Sequence, residues 1–433
     1  MCYRTVLSLI LVSGVLAMSV VAADPPEYKP VAAELCHVRS GLGNVLAKLK
    51  AGGEVRIAYF GGSITAAGGW RVKTFKWFQE TYPQAKLVEI NAAIGGTGSD
   101  LGVFRCQQDV LRHKPDLVFV EFAVNDGGAD PLNIWRAMEG IVRQTWRQDP
   151  TIDICYVYTF ANGRDKDYEQ GLCPRSASAD EMLAAYYGIP AVDVALRTVQ
   201  LQKEGKLIYV SPKDENGKPL PGPEGHMVFS DDGVHPLDAA HQMYTDVITA
   251  AIKEMEPLSQ PGPHELKAPF TADNWEQARL EALTPEMVTS GWQKLAADDP
   301  MQQRFGRFLP EIWQATQPGE KLHFKFKGSQ VRLYDIVGPD GGQAIVTVDG
   351  KVGAKPIPRF DSYCSYHRLQ VMWVAGGLDP DAAHEVTIEV SPDQPDRSSV
   401  TNREKDKPGF NPEKYNGTVL RVGSIMLMGE LVK

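Results

Sequence analysis

The chain has 433 residues, with 45 Lys and Arg against 54 Asp and Glu, for a formal net charge of −9. A hydrophobic content of 43% and a charged content of 23% describe a globular protein of two or three domains and exclude a fibrous or disordered one. The acidic balance, with no Lys/Arg block, argues against nucleic acid as a partner.

Residues 1–23 carry Arg4, an apolar stretch from Val6 to Val21 and the small residues Ala22 and Ala23. This is the pattern of a secretory signal peptide. The stretch is short and broken by Ser8, Ser13, Gly14 and Ser19, so cleavage is expected rather than a membrane anchor, and with it a secreted or periplasmic location and no integral span. Five cysteines lie beyond it: Cys36, Cys106, Cys155, Cys173 and Cys364. An odd, sparse set is not a disulfide scaffold, and its spacing matches no zinc site. One or two bridges stay open as a reading.

From residue 55 onward, apolar strand runs at 55–60, 86–91, 116–122, 152–159 and 190–194 alternate with helical patterns near 70–82, 99–113, 131–148 and 176–187. Such alternation predicts a three-layer α/β fold, a parallel sheet with helices on both faces and ligand chemistry at the carboxyl ends of its strands. Lys206 to Met227, rich in Pro, Gly and charge, reads as a long surface loop. Leu237 to Met255 reads as a helix burying Tyr244, Val247, Ile248, Ala251, Ile252 and Met255. The best linker candidate lies at 257–272. Beyond it, period-2 alternation such as Leu322-His-Phe324-Lys-Phe326 and the turn signal Asp349-Gly350 predict an all-β sandwich over 273–433. Asp393 to Gly417 is a charged loop within it, long enough to be functional or disordered. Trp292, Trp313, Tyr363 and Tyr366 read first as core or interface and second as sugar platforms.

Chemistry concentrates in four turns. Tyr59-Phe60-Gly61-Gly62-Ser63-Ile64-Thr65 places a serine at the lip of the first strand, where the following helix offers N–H groups. Asp232-Gly-Val-His235-Pro spaces a carboxylate and an imidazole so that one can orient the other. Ile94-Gly95-Gly96-Thr97-Gly98 and Glu121-Phe122-Ala123-Val124-Asn125-Asp126-Gly127 follow the second and third strands and can line an anion pocket. Taken singly, each is an ordinary turn.

In order, the four blocks resemble the SGNH (GDSL-like) hydrolase superfamily over roughly residues 50 to 256, which implies a flavodoxin-like sheet and ester hydrolysis. Carried over block by block, the resemblance implies Ser63 as nucleophile, His235 as base and Asp232 as its orienter. The oxyanion donors would be the N–H groups of Ser63 and Gly96 and the side chain of Asn125. Two positions depart from the family pattern: Gly62 stands where an Asp is usual, and Ala123 where a glycine is usual. No cofactor or metal is implied. A secreted hydrolase with an appended β-sandwich resembles bacterial carbohydrate esterases, so the expected substrate is an acetylated poly- or oligosaccharide; lipid esters are the rival, and a catalytically silent sugar-binding protein a third reading. A dinucleotide site at Gly96-Thr-Gly98-Ser-Asp-Leu-Gly102 is disfavoured by its Gly-x-Gly-x-x-x-Gly spacing.

Overall fold

The computed structural model describes residues 26–432, and the signal peptide expected at 1–23 lies outside them. The first part of the chain runs β1 (Cys36–His37), α1 (Gly43–Lys50), β2 (Glu54–Gly61), α2 (Ser63–Ala66), α3 (Trp70–Thr81), β3 (Lys86–Asn91), α4 (Ser99–Asp109) and β4 (Leu117–Glu121). It continues α5 (Pro131–Gln148), β5 (Asp153–Tyr158), α6 (Asp165–Glu169), α7 (Arg175–Tyr187), β6 (Ala191–Asp193), α8 (Val194–Lys203), β7 (Leu207–Val210), β8 (Met227–Ser230) and α9 (Asp238–Met255). Strands β2 to β6 pair in parallel in the order β6-β5-β4-β2-β3, with β1 added antiparallel at the β6 edge. Chain order therefore reverses between β2 and β4, and the loops leaving these two strands diverge to opposite sides, opening a crevice at their carboxyl ends.

The strands read as continuous apolar runs because both faces are covered. Alternate residues divide between two cores. Ala58, Phe60, Val118, Val120, Ile154 and Tyr156 pack with α4, α5 and α7. Val55, Ile57, Tyr59, Leu117, Phe119, Cys155 and Val157 pack with α1, α3, α8 and α9. Local signals set the helix ends: α5 starts with Pro131 behind Asp130, whose carboxylate accepts from the Leu132 N–H at 2.9 Å. The expected helix at 99–113 stops at Asp109 and tightens into a 3₁₀ turn, ended by Lys114 at φ 52°. Lys206–Met227 is not wholly loop, since β7 and β8 frame it as a parallel two-stranded ribbon. The five cysteines among the described residues are free; Cys106, Cys155, Cys173 and Cys364 are buried, and burial pushes the Cys106 thiol up to about 12.

The second part runs β9 (Ala278–Glu281), β10 (Gln293–Lys294), α10 (Pro300–Phe305), β11 (Trp313–Ala315), β12 (Lys321–Val337), β13 (Gln343–Val348), β14 (Lys351–Val352), β15 (Ile357–Pro358), β16 (Arg368–Gly376), β17 (Ala383–Val390), α11 (Ser398–Glu404) and β18 (Leu420–Val432). Its strands form one antiparallel network in which β12 pairs with β17 through its first half, β16 through its second, and β18 along its other edge. Leu322, Phe324 and Phe326 point into the β-rich core. A register shift between Gly328 and Gln330 then changes the parity, so that Val331 and Leu333 continue that core while Tyr334 and Ile336 face the α/β unit. The 393–417 loop carries α11 and packs Val400 and Tyr415 on Phe360 and Cys364.

Two contacts weld the parts together. Phe305, Leu309, Ile312, Tyr334, Ile336, Met426 and Met428 belong to the same apolar core as α4, α5 and the sheet. The 257–272 segment, expected as a linker, is pinned along the α5–α7 face. The Glu139 carboxylate accepts from the N–H groups of Phe270 and Thr271 at 2.5 and 2.7 Å, and His264 meets Asp153 at 2.8 Å. Among the described residues no helix is long and apolar enough to cross a membrane. Ending the chain after residue 256 strips α4 and α5 of this cover. The truncated protein is expected to bind a hydrophobic dye and to melt well below the full chain, or to aggregate; a soluble fragment melting with the full chain would mean that the shared core contributes little.

Candidate active site

Strand β2 ends at Gly61, and Gly62, extended at φ −90° and ψ −152°, delivers the chain into the single turn α2 that begins with Ser63. The side chain of Ser63 is half-buried and its Oγ lies 2.8 Å from Nε2 of His235. Nδ1 of the same ring lies 2.6 Å from Oδ2 of Asp232. The other carboxylate oxygen, Oδ1, accepts from the N–H groups of Val234 and His235 at 2.8 and 2.9 Å and from Ser230 Oγ at 2.9 Å. Burial works to raise the Asp232 pKa, but the hydrogen bonds from the His235 ring, the two N–H groups and Ser230 outweigh it and hold the carboxyl well below the usual range. The carboxylate is thus charged at any physiological pH and keeps a proton on Nδ1, leaving Nε2 to accept from Ser63.

The two glycine and asparagine turns also converge on Ser63. A Cβ at Gly95 would lie 3.5 Å from Ser63 Cβ, so this loop runs directly beside the serine. Gly96 follows at φ 74°, in the left-handed region that glycine adopts without strain. The Asn125 carboxamide lies over Gly62: a Cβ there would stand 2.0 Å from its Oδ1. In this structure a side chain at 62 would require the Asn125 carboxamide to move. No protein acceptor takes the N–H of Gly96 or of Ser63 among the described residues.

Beneath the turn, Arg105 is fully buried over the Phe60 ring, and its guanidinium donates to Ala92 O and, at 3.5 Å, to Gly61 O, tying the ends of β2 and β3. Glu121 closes β4 and is also buried. Its carboxyl accepts from Thr65 Oγ1 and Thr159 Oγ1, both at 2.8 Å, and its carbonyl accepts from Gly62 N–H at 3.3 Å. Sequence reading met Glu121 only as the opening residue of the asparagine block; a lone carboxylate ending an apolar strand was the available signal. Arg164 steadies the asparagine turn from behind, donating to Ala123 O at 2.8 Å and Val124 O at 2.6 Å.

Two clefts open where the β-rich region overhangs these loops, and both are bordered by Gly96, Gly98 and Asp100. The larger, about 1250 Å³, also takes in Asn125, Trp275, Arg332 and Trp373. The smaller, about 760 Å³, includes Tyr363 and Tyr366. Trp292 and Trp313 are core residues, whereas Tyr363, Tyr366 and Trp373 are exposed by 67%, 50% and 51%. Trp373 escaped sequence reading because an aromatic in a strand looks like core; only the fold sets it on the wet face.

Burial raises the carboxyls of Glu121, Asp126 and Asp193 to about 7 and lifts Asp180 as well. The unfolded chain releases these protons near pH 4 to 4.5, so stability from the protonated acids is present at low pH and is lost as pH rises through 7. His241, lowered to about 4 by burial, and His113, also lowered by burial, act in the opposite sense below pH 6.5, while His384, raised by its hydrogen bond to Asp349, acts with the four carboxyls. The unfolding temperature is therefore expected to be higher at pH 5.5 than at pH 7.5, with a shallower slope in Glu121→Gln. A midpoint that climbs over this interval would contradict the buried, protonated cluster.

The GDSL-like lipase/acylhydrolase family matches residues 59–243, which include Ser63, Gly96, Asn125, Asp232 and His235. Two crystal structures of a two-domain esterase active on acetylated mannans, one co-crystallised with mannopentaose, superpose on 90% of this chain and 94% of their own. Their TM-scores are 0.66 and 0.65 at 21% identity, a likeness of fold across both parts of the chain. A lipase/acylhydrolase from Enterococcus faecalis, 16% identical, covers 48% of this chain and 98% of its own at a TM-score of 0.35. No curated protein matches in sequence. With residues 59–243 matched from the strand that carries Ser63 into the helix that follows His235, the α/β unit is similar to the GDSL-like lipase/acylhydrolase family, and the protein is a carboxylic ester hydrolase.

Proposed function

We propose that this hydrolase removes O-acetyl groups from a carbohydrate by a Ser-His-Asp mechanism. The observation that carries the mechanism is the unbroken hydrogen-bond path from Ser63 through His235 to Asp232, at 2.8 and 2.6 Å. Ser63 Oγ attacks the ester carbonyl carbon as His235 Nε2 takes its proton, and Asp232 stabilises the imidazolium. The tetrahedral oxyanion is received by the N–H groups of Ser63 and Gly96 and the Asn125 amide. Collapse expels the sugar hydroxyl, protonated by His235. Water, deprotonated by the same ring, then releases acetate and restores Ser63.

A carbohydrate is favoured by the cleft. Its walls hold Asp100, Arg136, Asp273, Asn274, Lys327 and Gln330, groups suited to hydroxyls and not to an acyl chain. Exposed Trp373 on one side of Gly96, and Tyr363 and Tyr366 on the other, offer flat apolar faces of the kind on which sugar rings pack. The structural neighbours with both parts act on acetylated mannans. In this reading residues 1–23 direct the chain to the periplasm or outside the cell, 35–256 form the hydrolase unit, 257–272 its connecting strap, and 273–433 a β-sandwich that walls the cleft.

The test is acetate release by the full chain from acetylated mannan, xylan, pectin and peptidoglycan, beside p-nitrophenyl acetate. Ser63→Ala is expected to abolish release, and Asn125→Ala to lower kcat roughly 10²–10³-fold with a smaller change in KM. Wild-type rates in Ser63→Ala would remove it as nucleophile. Trp373→Ala should raise KM for the polymer several-fold and leave the small ester unchanged. An equal loss on both substrates would make Trp373 part of the fold rather than of substrate binding.

A further inference from the structure

The oxyanion donors at Gly96 and Asn125 leave different strands, β3 and β4, so something must set the distance between them. Helix α4 begins at Ser99, and its capping position is Gly98, which has no side chain to receive the first N–H groups. A helix start is ordinarily capped by the oxygen of its own Ncap residue. Here the cap comes from the other loop: Asp126, the residue after Asn125, is 5% exposed, and its Oδ1 accepts from the Ser99 N–H at 3.0 Å. A Cβ at position 98 would lie 2.2 Å from that same oxygen. The backbone at 98 has φ −98°, which any residue adopts, so glycine is needed there for room alone.

Each end of this bridge is held by further hydrogen bonds. On one side Asp126 N–H donates to Phe122 O at 2.9 Å and Arg164 holds the carbonyls of Ala123 and Val124. On the other, Thr97 Oγ1 donates to Ile94 O at 2.8 Å, bracing the turn that contains Gly96. We propose that Asp126 is a positioning residue: by capping α4 from the asparagine loop, through the gap left by Gly98, it fixes the spacing of the two oxyanion donors. The inference rests on the roles given above to Gly96 and Asn125.

The experiment measures kcat and KM on p-nitrophenyl acetate for full-length Asp126→Ala, Asp126→Asn, Gly98→Ala, Asn125→Ala and the pairs Gly98→Ala/Asp126→Ala and Asn125→Ala/Asp126→Ala, each normalised to its folded fraction by active-serine titration. Asp126→Ala is expected to lower kcat roughly 10–100-fold with KM within about twofold, and Asp126→Asn, which keeps the acceptor and the shape, to recover most of it. Gly98→Ala should be impaired by collision with the carboxylate, and adding Asp126→Ala should cost no more than the worse single change. In the Asn125→Ala background, removal of Asp126 should cost less than about threefold, because the donor it positions is gone. Full additivity in either pair, an effect confined to KM, or Asp126→Asn as impaired as Asp126→Ala overturns the proposal. If Asn125→Ala itself is without effect, the oxyanion assignment fails; a large Asn125→Ala effect with an unimpaired Asp126→Ala defeats the positioning role alone.

Discussion

The structure depends most on how the carboxyl ends of β2 and β4 are joined. Glu121 stands at that seam with its side chain under Thr65 and Thr159 and its main-chain carbonyl on Gly62. One buried residue thereby ties the serine turn to three strands. Burying a carboxyl in a sheet core is costly unless it is hydrogen-bonded or kept neutral, and both remedies operate here: two hydroxyls donate to it, and its pKa rises to about 7. Arg105 makes the corresponding tie between β2 and β3. Because α2 is a single turn with too few internal hydrogen bonds to hold itself, Ser63 owes its place to these ties.

The polar framework explains how an open site keeps its geometry. Asp232 and His235 have side chains exposed by 55% and 51%, where an ion pair alone would be weak. Their alignment comes instead from the Asp232 carboxylate receiving the N–H groups of Val234 and His235, so that the turn itself dictates where the ring stands. Exposure suits the proposed mechanism, in which a bulky ester and then a water must reach the same serine.

The β-rich region is continuous with the α/β unit. The second half of β12 is buried on both faces, since Val331 and Leu333 fill one core and Tyr334 and Ile336 the other. Arg332 is one of the buried polar residues of that stretch, its guanidinium 5.5, 5.3 and 4.8 Å from the rings of Phe104, Trp275 and Trp373 and 3.4 Å from Asp100. It joins α4, the segment just after the strap and β16 at one point on the cleft wall. Trp373 is therefore held by the same contact that docks the two parts, which makes cleft shape a property of the interface.

Local pattern determined much of this protein. Apolar runs and their helical spacers mark the strands at 54–61, 86–91, 117–121, 153–158 and 191–193 within a residue or two, because a sheet covered on both faces must be apolar throughout. The four turns that carry Ser63, Gly96, Asn125 and the Asp232–His235 pair were legible for a related reason: sharp turns at strand ends require glycine and short polar residues, whatever the rest of the chain does. Period-2 alternation likewise announced β12 and β17. What alternation does not encode is which surface meets which. The tertiary structure alone decided that 257–272 is a strap, that β12 changes parity at a register shift, that Tyr363, Tyr366 and Trp373 face the clefts, and that Asp126 caps a helix from another loop. Each of these depends on contacts between residues tens to hundreds of positions apart, and a single carboxylate, aromatic or glycine reads the same in the sequence whether its partner is water or a distant strand.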